Sequence, residues 1–244
     1  MTVTKVPFFM GERLEGFEVP APFVELDPSL PAGNPQERMG VLYRELATRV
    51  AGQEHPVVYA GDCVSTIGVL AGLQQGGVDA TLVFFDAHGD FNTWETTPTG
   101  FLGGMPVAML TGRGEQTIVE GAGLRVLPDE QVLHVGARDL DPEEAIALAD
   151  SGIVAVGIED VSTIDLPPGP LYVHIDVDVI DPVEVPATSY PAPGGPSVDD
   201  MLVALTRLAR TERVVATSVS SWNPALPGAD RAAAAVRRLT EPFR

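Results

Sequence analysis

Apolar and polar positions change period repeatedly along this chain, and each change marks a new element. Residues 1–33 are the least regular part, rich in Pro and Gly, with one strand expected near Val3–Phe9. From Asn34 the period becomes helical. Asn34 can cap, Pro35 suits a first turn, and Glu37 completes a capping-box pattern. Met39, Leu42, Leu46 and Val50 then fall on one helical face, and Gly52 can end the helix. Val57–Ala60 reads as a short apolar strand, and Val64–Gln75 as a helix stopped by Gly76. Ala80–Phe85 is a continuous apolar run, as expected of a strand buried on both faces.

The alternation continues in the second half. Gly104–Thr111 reads as helical and Gln131–Val135 as a strand. Asp141-Pro142-Glu143-Glu144 opens a second capping-box helix that runs to about Ser151. Ile153–Gly157 and Leu171–Val177 are further strands. Ser197–Ala209 is a helix with apolar Met201, Leu202, Leu205 and Leu208; Val214–Ser220 is the last strand and Ala229–Leu239 the last helix. This order predicts an α/β fold, a three-layer αβα sandwich around a mostly parallel sheet. No repeat, low-complexity tract or linker divides the chain, so residues 1–244 are expected to form a single domain. In such sheets the site lies at the carboxyl ends of the strands.

Composition narrows the function classes. Hydrophobic residues make up 45% and charged residues 20%, as in an ordinary globular protein. A net charge of -19 disfavours nucleic acid and anionic membranes as partners. One cysteine, Cys63, excludes an internal disulfide framework and suits a reducing cytoplasm. No basic-then-apolar leader and no apolar run near 18 residues is evident, so a cytoplasmic protein without membrane spans is expected.

Two acidic clusters stand where a site belongs. Asp86-Ala87-His88-Gly89-Asp90 follows directly on the apolar run Ala80–Phe85. Asp176-Val177-Asp178 closes the strand that starts at Leu171, and the two-residue strand period puts both carboxylates on one face. Gathering four carboxylates without a counter-charge is costly, because like charges raise one another's pKa. A pair of divalent cations removes that cost, and oxygen-rich ligation with one imidazole suits manganese. Alone, Asp-x-Asp at a strand end is usually a turn or a cap. Two such clusters, each ending a buried strand, point to a metal pair and a small-molecule substrate.

These segments resemble the ureohydrolase family of arginase and agmatinase. Gly61-Asp62-Cys63 looks like its Gly-Asp-His turn, and Gly136-Ala137-Arg138-Asp139-Leu140-Asp141-Pro142 like its Gly-x-Arg-Asp-x-Asp-Pro segment. The stretch Asp86–Gly104 looks closest to the branch that hydrolyses N-hydroxy-arginine. The resemblance implies an arginase-like fold and two Mn²⁺ ions. Asp86 and Asp176 would bridge them, Asp90 and Cys63 would bind one, and His88 and Asp178 the other. It further implies hydrolysis of a linear amidine, a guanidino or hydroxyguanidino compound, by a hydroxide that both ions share and that attacks the central carbon. Asp90 would relay the proton, while Asn92, Thr99 and Asp141 would hold the substrate's other end. A homo-oligomer is compatible with the resemblance, though no feature of the chain specifies one.

Three departures bear on the substrate. Cys63 stands where most of the family has a ligand histidine, and is either a thiolate ligand or a small buried thiol. Gly103 stands where arginase has a proton-shuttling histidine. Ser221 stands where the family has a glutamate that holds guanidinium. Phe101 replaces a polar residue, which favours a less polar or smaller substrate, and Tyr190 a small hydroxyl residue in the pocket. Trp222 could stack on a planar cation or simply pack. His174 is expected to sit behind the ligands, His134 in buried structure and His55 in a surface loop. Hydrolysis of a formimino or amide C–N bond at the same centre, and a degenerate non-catalytic member, remain alternatives.

Overall fold

A computed structural model describes residues 2–243. The chain begins with β1 (Val3–Val6), a short hairpin of β2 (Phe8–Phe9) and β3 (Glu12–Arg13), and β4 (Val24–Glu25). Then come α1 (Pro35–Val50), β5 (Val57–Ala60), α2 (Ser65–Gln75), β6 (Thr81–Phe85), α3 (Pro106–Leu110) and α4 (Thr117–Ala122). The second half holds β7 (Val132–Val135), α5 (Pro142–Ala149), β8 (Val154–Val156), β9 (Leu171–Asp176), α6 (Val198–Ala209), β10 (Val214–Ser220) and α7 (Ala229–Leu239). One sheet runs in the order β4-β1-β5-β10-β9-β6-β7-β8, and every pairing in it is parallel. The expected mostly parallel sheet is therefore wholly parallel among the described residues.

Helices cover both faces, which gives the three-layer sandwich. Leu42, Leu46, Ile67 and Leu70 of α1 and α2 pack with Phe84 on one face. Met201, Leu205 and Val236 of α6 and α7 pack with Val83 and Val173 on the other. β5, β6 and β9 are buried along their whole lengths, as their unbroken apolar sequences require. At Gly72 the α1 backbone comes so close that a Cβ would lie 2.6 Å from the Ala47 carbonyl oxygen. No helix among the described residues is long and apolar enough to cross a membrane.

Differences from the sequence reading have local causes. Asn34 caps α1 by accepting the Glu37 N–H at 2.8 Å, but among the described residues no bond returns from Glu37, so only half of that box forms. The Asp141 box forms in full, with Glu144 accepting the Asp141 N–H at 3.1 Å. The helix expected over Gly104–Thr111 is split, with a 3-10 turn at Leu102–Gly104 followed by α3. Pro106 has no N–H to continue an earlier helix and serves as the first residue of a new one. The β2–β3 hairpin, β4 and α4 were not expected; elements of two to six residues carry too little period to read.

Candidate metal centre

Five neighbouring strands bring the candidate residues to one end of the sheet. In the order β5, β10, β9, β6, β7, their carboxyl ends lead into Cys63, Ser221, Asp176, Asp86 and the segment reaching Asp141. Phe85 pairs with Ile175, so Asp86 and Asp176 leave adjacent strands side by side. The loop after β6 is held open by its backbone: the Ala87 carbonyl accepts the Arg138 and Asp139 N–H groups at 2.8 and 3.0 Å. Asp90 has φ 50°, a left-handed conformation that turns the chain sharply.

Asp178 does not continue the strand. It sits in a 3-10 turn, Val177–Val179, and donates its N–H to Asp176 Oδ1 at 3.1 Å. The strand period thus does not explain why the two carboxylates converge; the turn does. Arg138 fastens that turn. Its guanidinium donates to the carbonyls of Asp178 (3.2 Å), Val179 (3.1 Å) and Ala192 (2.6 Å), tying the turn to a distant loop.

The side chains form two donor groups that share one member. Cys63, Asp86 and Asp90 offer ligand atoms all within 4.8 Å of one another, and so do Asp86, His88 and Asp178. His88 Nδ1 lies 3.3 Å from Asp86 Oδ1 and 3.2 Å from Asp178 Oδ2. Asp176 lines the same cavity but belongs to neither group; its Oδ2 accepts the Ser221 hydroxyl in a short hydrogen bond and the Ser220 hydroxyl at 3.3 Å.

Burial dominates the electrostatics. Burial and the neighbouring Asp176 push Asp86 up to about 6; burial and Asp86 do the same to Asp178. Asp90 and Asp176 are also raised well above the usual carboxylate range, first by burial and then by Asp86 and Asp178 respectively. Burial lowers His88, but its hydrogen bonds to Asp178 and Asp86 outweigh that and push it up to about 12. A proton on His88 thus partly does the work of a cation. Burial, then Asp90, pushes the Cys63 thiol up. Asp90 Oδ2 is buried with no protein partner. An unpartnered carboxylate oxygen among other carboxylates, beside an imidazole aimed at two of them, suits divalent cations.

The remaining expected residues lie on the same cavity, whose volume is about 660 Å³. Asn92 is buried, Thr99 exposed and Asp141 partly buried. Asn92 donates to Asp141 Oδ2 at 2.9 Å and accepts the Thr96 hydroxyl at 3.0 Å. His174 is buried behind Asp176, its Nδ1 2.7 Å from Ser218 Oγ, and burial lowers it to about 3. His134 is buried against Phe84, and His55 is exposed in a loop. Trp222 is 2% exposed and stacks on Phe17 at 4.2 Å, so it packs and does not face the cavity.

Sequence reading missed several wall residues. Phe9 and Met10 arrive from the unforeseen hairpin, and the Met10 N–H is held by buried Asp62 at 2.8 Å. Glu144, read only as a capping residue, also accepts the Phe91 N–H at 2.8 Å and so anchors the ligand loop. Its signal was present in the capping box; its second bond was not.

Comparison with known proteins gives a family match and a shared fold. The sequence profile of the arginase family matches residues 20–242. An arginase of Eremothecium gossypii is 36% identical over 193 residues, covering 72% of this chain and 48% of that protein. An arginase of Saccharomyces cerevisiae is 30% identical over 210 residues, covering 78% and 63%. This chain therefore spans about half to two thirds of the length of those two relatives. The N(omega)-hydroxy-L-arginine amidinohydrolase of Streptomyces lavendulae is 32% identical over 209 residues, covering 84% and 74%. Among solved structures, arginase from Bacillus subtilis superposes with a TM-score of 0.82 over 99% of this chain and 97% of its own, at 24% identity. Arginase from Bacillus caldovelox gives 0.76 over 91% and 82%, at 25% identity. With its acidic clusters at the ends of β6 and β9, an arginase-type sheet and a profile match over nearly its whole length, this chain belongs to the arginase family.

Proposed function

We propose that this protein is a metal-dependent hydrolase of linear amidines, with guanidino or hydroxyguanidino compounds as substrates and two Mn²⁺ ions as cofactor. The observation that carries this reading is the pair of donor groups sharing Asp86, set in a chain of the arginase family. Cys63, Asp86 and Asp90 would hold one ion and Asp86, His88 and Asp178 the other, with Asp176 beside both. When bound, such ions supply the Lewis acidity that makes water a nucleophile near neutral pH.

The protein's own residues do the rest. Asp90 keeps one carboxylate oxygen free of protein partners, and burial gives it a raised affinity for a proton. It is placed to take a proton from the attacking water and pass it to the departing nitrogen. Ser221 and Ser220 fix Asp176 through its Oδ2. Asn92, Asp141 and Thr99 line the same cavity. Addition of water and loss of the C–N bond would give an amine and urea or a urea-like product.

Metal analysis of protein reconstituted with Mn²⁺ should give close to two ions per chain, and a guanidine panel should release urea or hydroxyurea. A chain that takes up no metal after reconstitution overturns the reading.

A further inference from the structure

The two-residue strand period sets alternate side chains of β9 on one face, and likewise those of β10. The register of the two strands then pairs Ser218 with His174 and Ser220 with Asp176. Tyr172, His174, Asp176, Ser218 and Ser220 are each 2% exposed or less. Cut off from bulk water in this way, their polar hydrogens have to find acceptors in one another.

The direction of each bond follows from where every hydrogen can go. Tyr172 Oη lies 2.5 Å from Ser218 Oγ, its one hydrogen-bond partner among the described residues, so the phenol hydrogen goes to Ser218. Ser218 Oγ has His174 Nδ1 as its other partner, at 2.7 Å, so the Ser218 hydrogen goes to that nitrogen. A neutral imidazole carries one N–H. With Nδ1 accepting, that N–H is on Nε2, which meets Ser220 Oγ at 3.4 Å. The Ser220 hydrogen is then left for Asp176 Oδ2 at 3.3 Å. Its other neighbour, Ser221 Oγ at 3.1 Å, donates to the same carboxylate oxygen, so both routes end on Asp176. The Asp178 N–H occupies Oδ1 at 3.1 Å. The opposite tautomer would draw the Ser220 hydrogen to Nε2, take a donor from Asp176 and leave a buried hydroxyl hydrogen of Tyr172 or Ser218 unpaired.

We infer that His174 and Ser220 are positioning residues of the metal centre: a one-way row of donors, begun at Tyr172 in the middle of the sheet, ends on Asp176 and fixes its carboxylate beside the metal pair. The inference rests on the metal-dependent reading above and adds two residues that touch neither ion nor substrate. Donors to a carboxylate favour its charged form, the form that meets a cation. They also hold its plane, so that the oxygens need not be ordered when metal binds. His174 stays put because its ring stacks on Phe84 at 4.8 Å between centroids.

Nitrogen-15 NMR of the metal-free protein and calorimetric titration with Mn²⁺ test this. At neutral pH the His174 ring should carry its proton on Nε2 and leave Nδ1 bare. Ser220→Ala should weaken Mn²⁺ binding about tenfold, as removal of an outer hydrogen-bond partner of a ligand does. Ser220→Thr keeps the hydroxyl and should recover most of that loss. A ring protonated on Nδ1, or on both nitrogens, overturns the donor row and the role of His174. Wild-type affinity in Ser220→Ala, or a Ser220→Thr protein as weak as Ser220→Ala, overturns the positioning role while the metal reading stands. No Mn²⁺ uptake by the wild-type protein overturns the metal reading and the positioning role together.

Discussion

Stripping the metal should make this protein less stable at neutral pH than at mild acidity. In the metal-free chain Asp86 and Asp178 are each pushed up to about 6, chiefly by burial and then by a neighbouring carboxylate. Their folded-state proton affinity exceeds that of an unfolded carboxylate, whose pKa is about 3.9. The stability they contribute is therefore present in acid and is lost as pH rises through about 6. Between pH 5 and 7.5 the two carboxylates, titrating together, lose on the order of 3 kcal/mol. At 2–4 °C per kcal/mol for a chain of this size, the melting temperature should fall by roughly 6–12 °C. His88, also raised, acts in the same direction, losing its contribution as pH rises above its ordinary value. Divalent cations oppose the trend, because they bind the deprotonated carboxylates and neutral imidazole. Saturation at a thousand times Kd adds about 4 kcal/mol. The assay is thermal unfolding with EDTA and with Mn²⁺ across this pH range. The high net negative charge also favours acid, so Asp178→Asn serves as the control and should reduce the metal-free slope, the remainder belonging to Asp86, Asp90, Asp176 and His88. A metal-free melting temperature that is flat or rises from pH 5 to 7.5 would refute the reasoning. So would a slope unaffected by Asp178→Asn.

Other perturbations separate the parts of the site. Arg138→Met frees the carbonyls of Asp178, Val179 and Ala192 and should weaken Mn²⁺ binding about tenfold by calorimetry; unchanged affinity would show that the turn holds itself. Ser221→Ala removes a hydroxyl donor from buried Asp176 and should cost the metal-free protein about 1–3 kcal/mol, read by denaturant unfolding. If Cys63 ligates, Cys63→Ala should lower manganese occupancy while Cys63→His keeps or raises it, measured by elemental analysis. Equal occupancy in all three proteins would make the thiol a bystander.

Much of this was legible in the sequence because the informative signals were local. β5, β10 and α7 have the expected bounds, since each is an uninterrupted run of one periodicity between clear breaks. The ligand cluster after β6 was legible for a similar reason: its donors alternate within one short loop. What failed was anything made by contacts between distant segments. Asp178 converges through a 3-10 turn, and the fastening of that turn by Arg138 spans 40 residues of sequence. The hairpin that supplies Phe9 and Met10 has strands of two residues, too short for alternation to register. Gly103 was visible as a missing side chain, but not that another ring lies over it.

That last contact also limits the order in which the pocket can change. While Phe101 stays between Phe9 and Tyr190, a side chain at position 103 would meet ring carbon at 2.4 Å. Replacing Phe101 first opens room at both positions, whereas a larger residue arriving first at 103 has to displace the ring from its place. The two positions should covary among relatives that keep this wall, with a bulky aromatic at the first accompanied by glycine at the second.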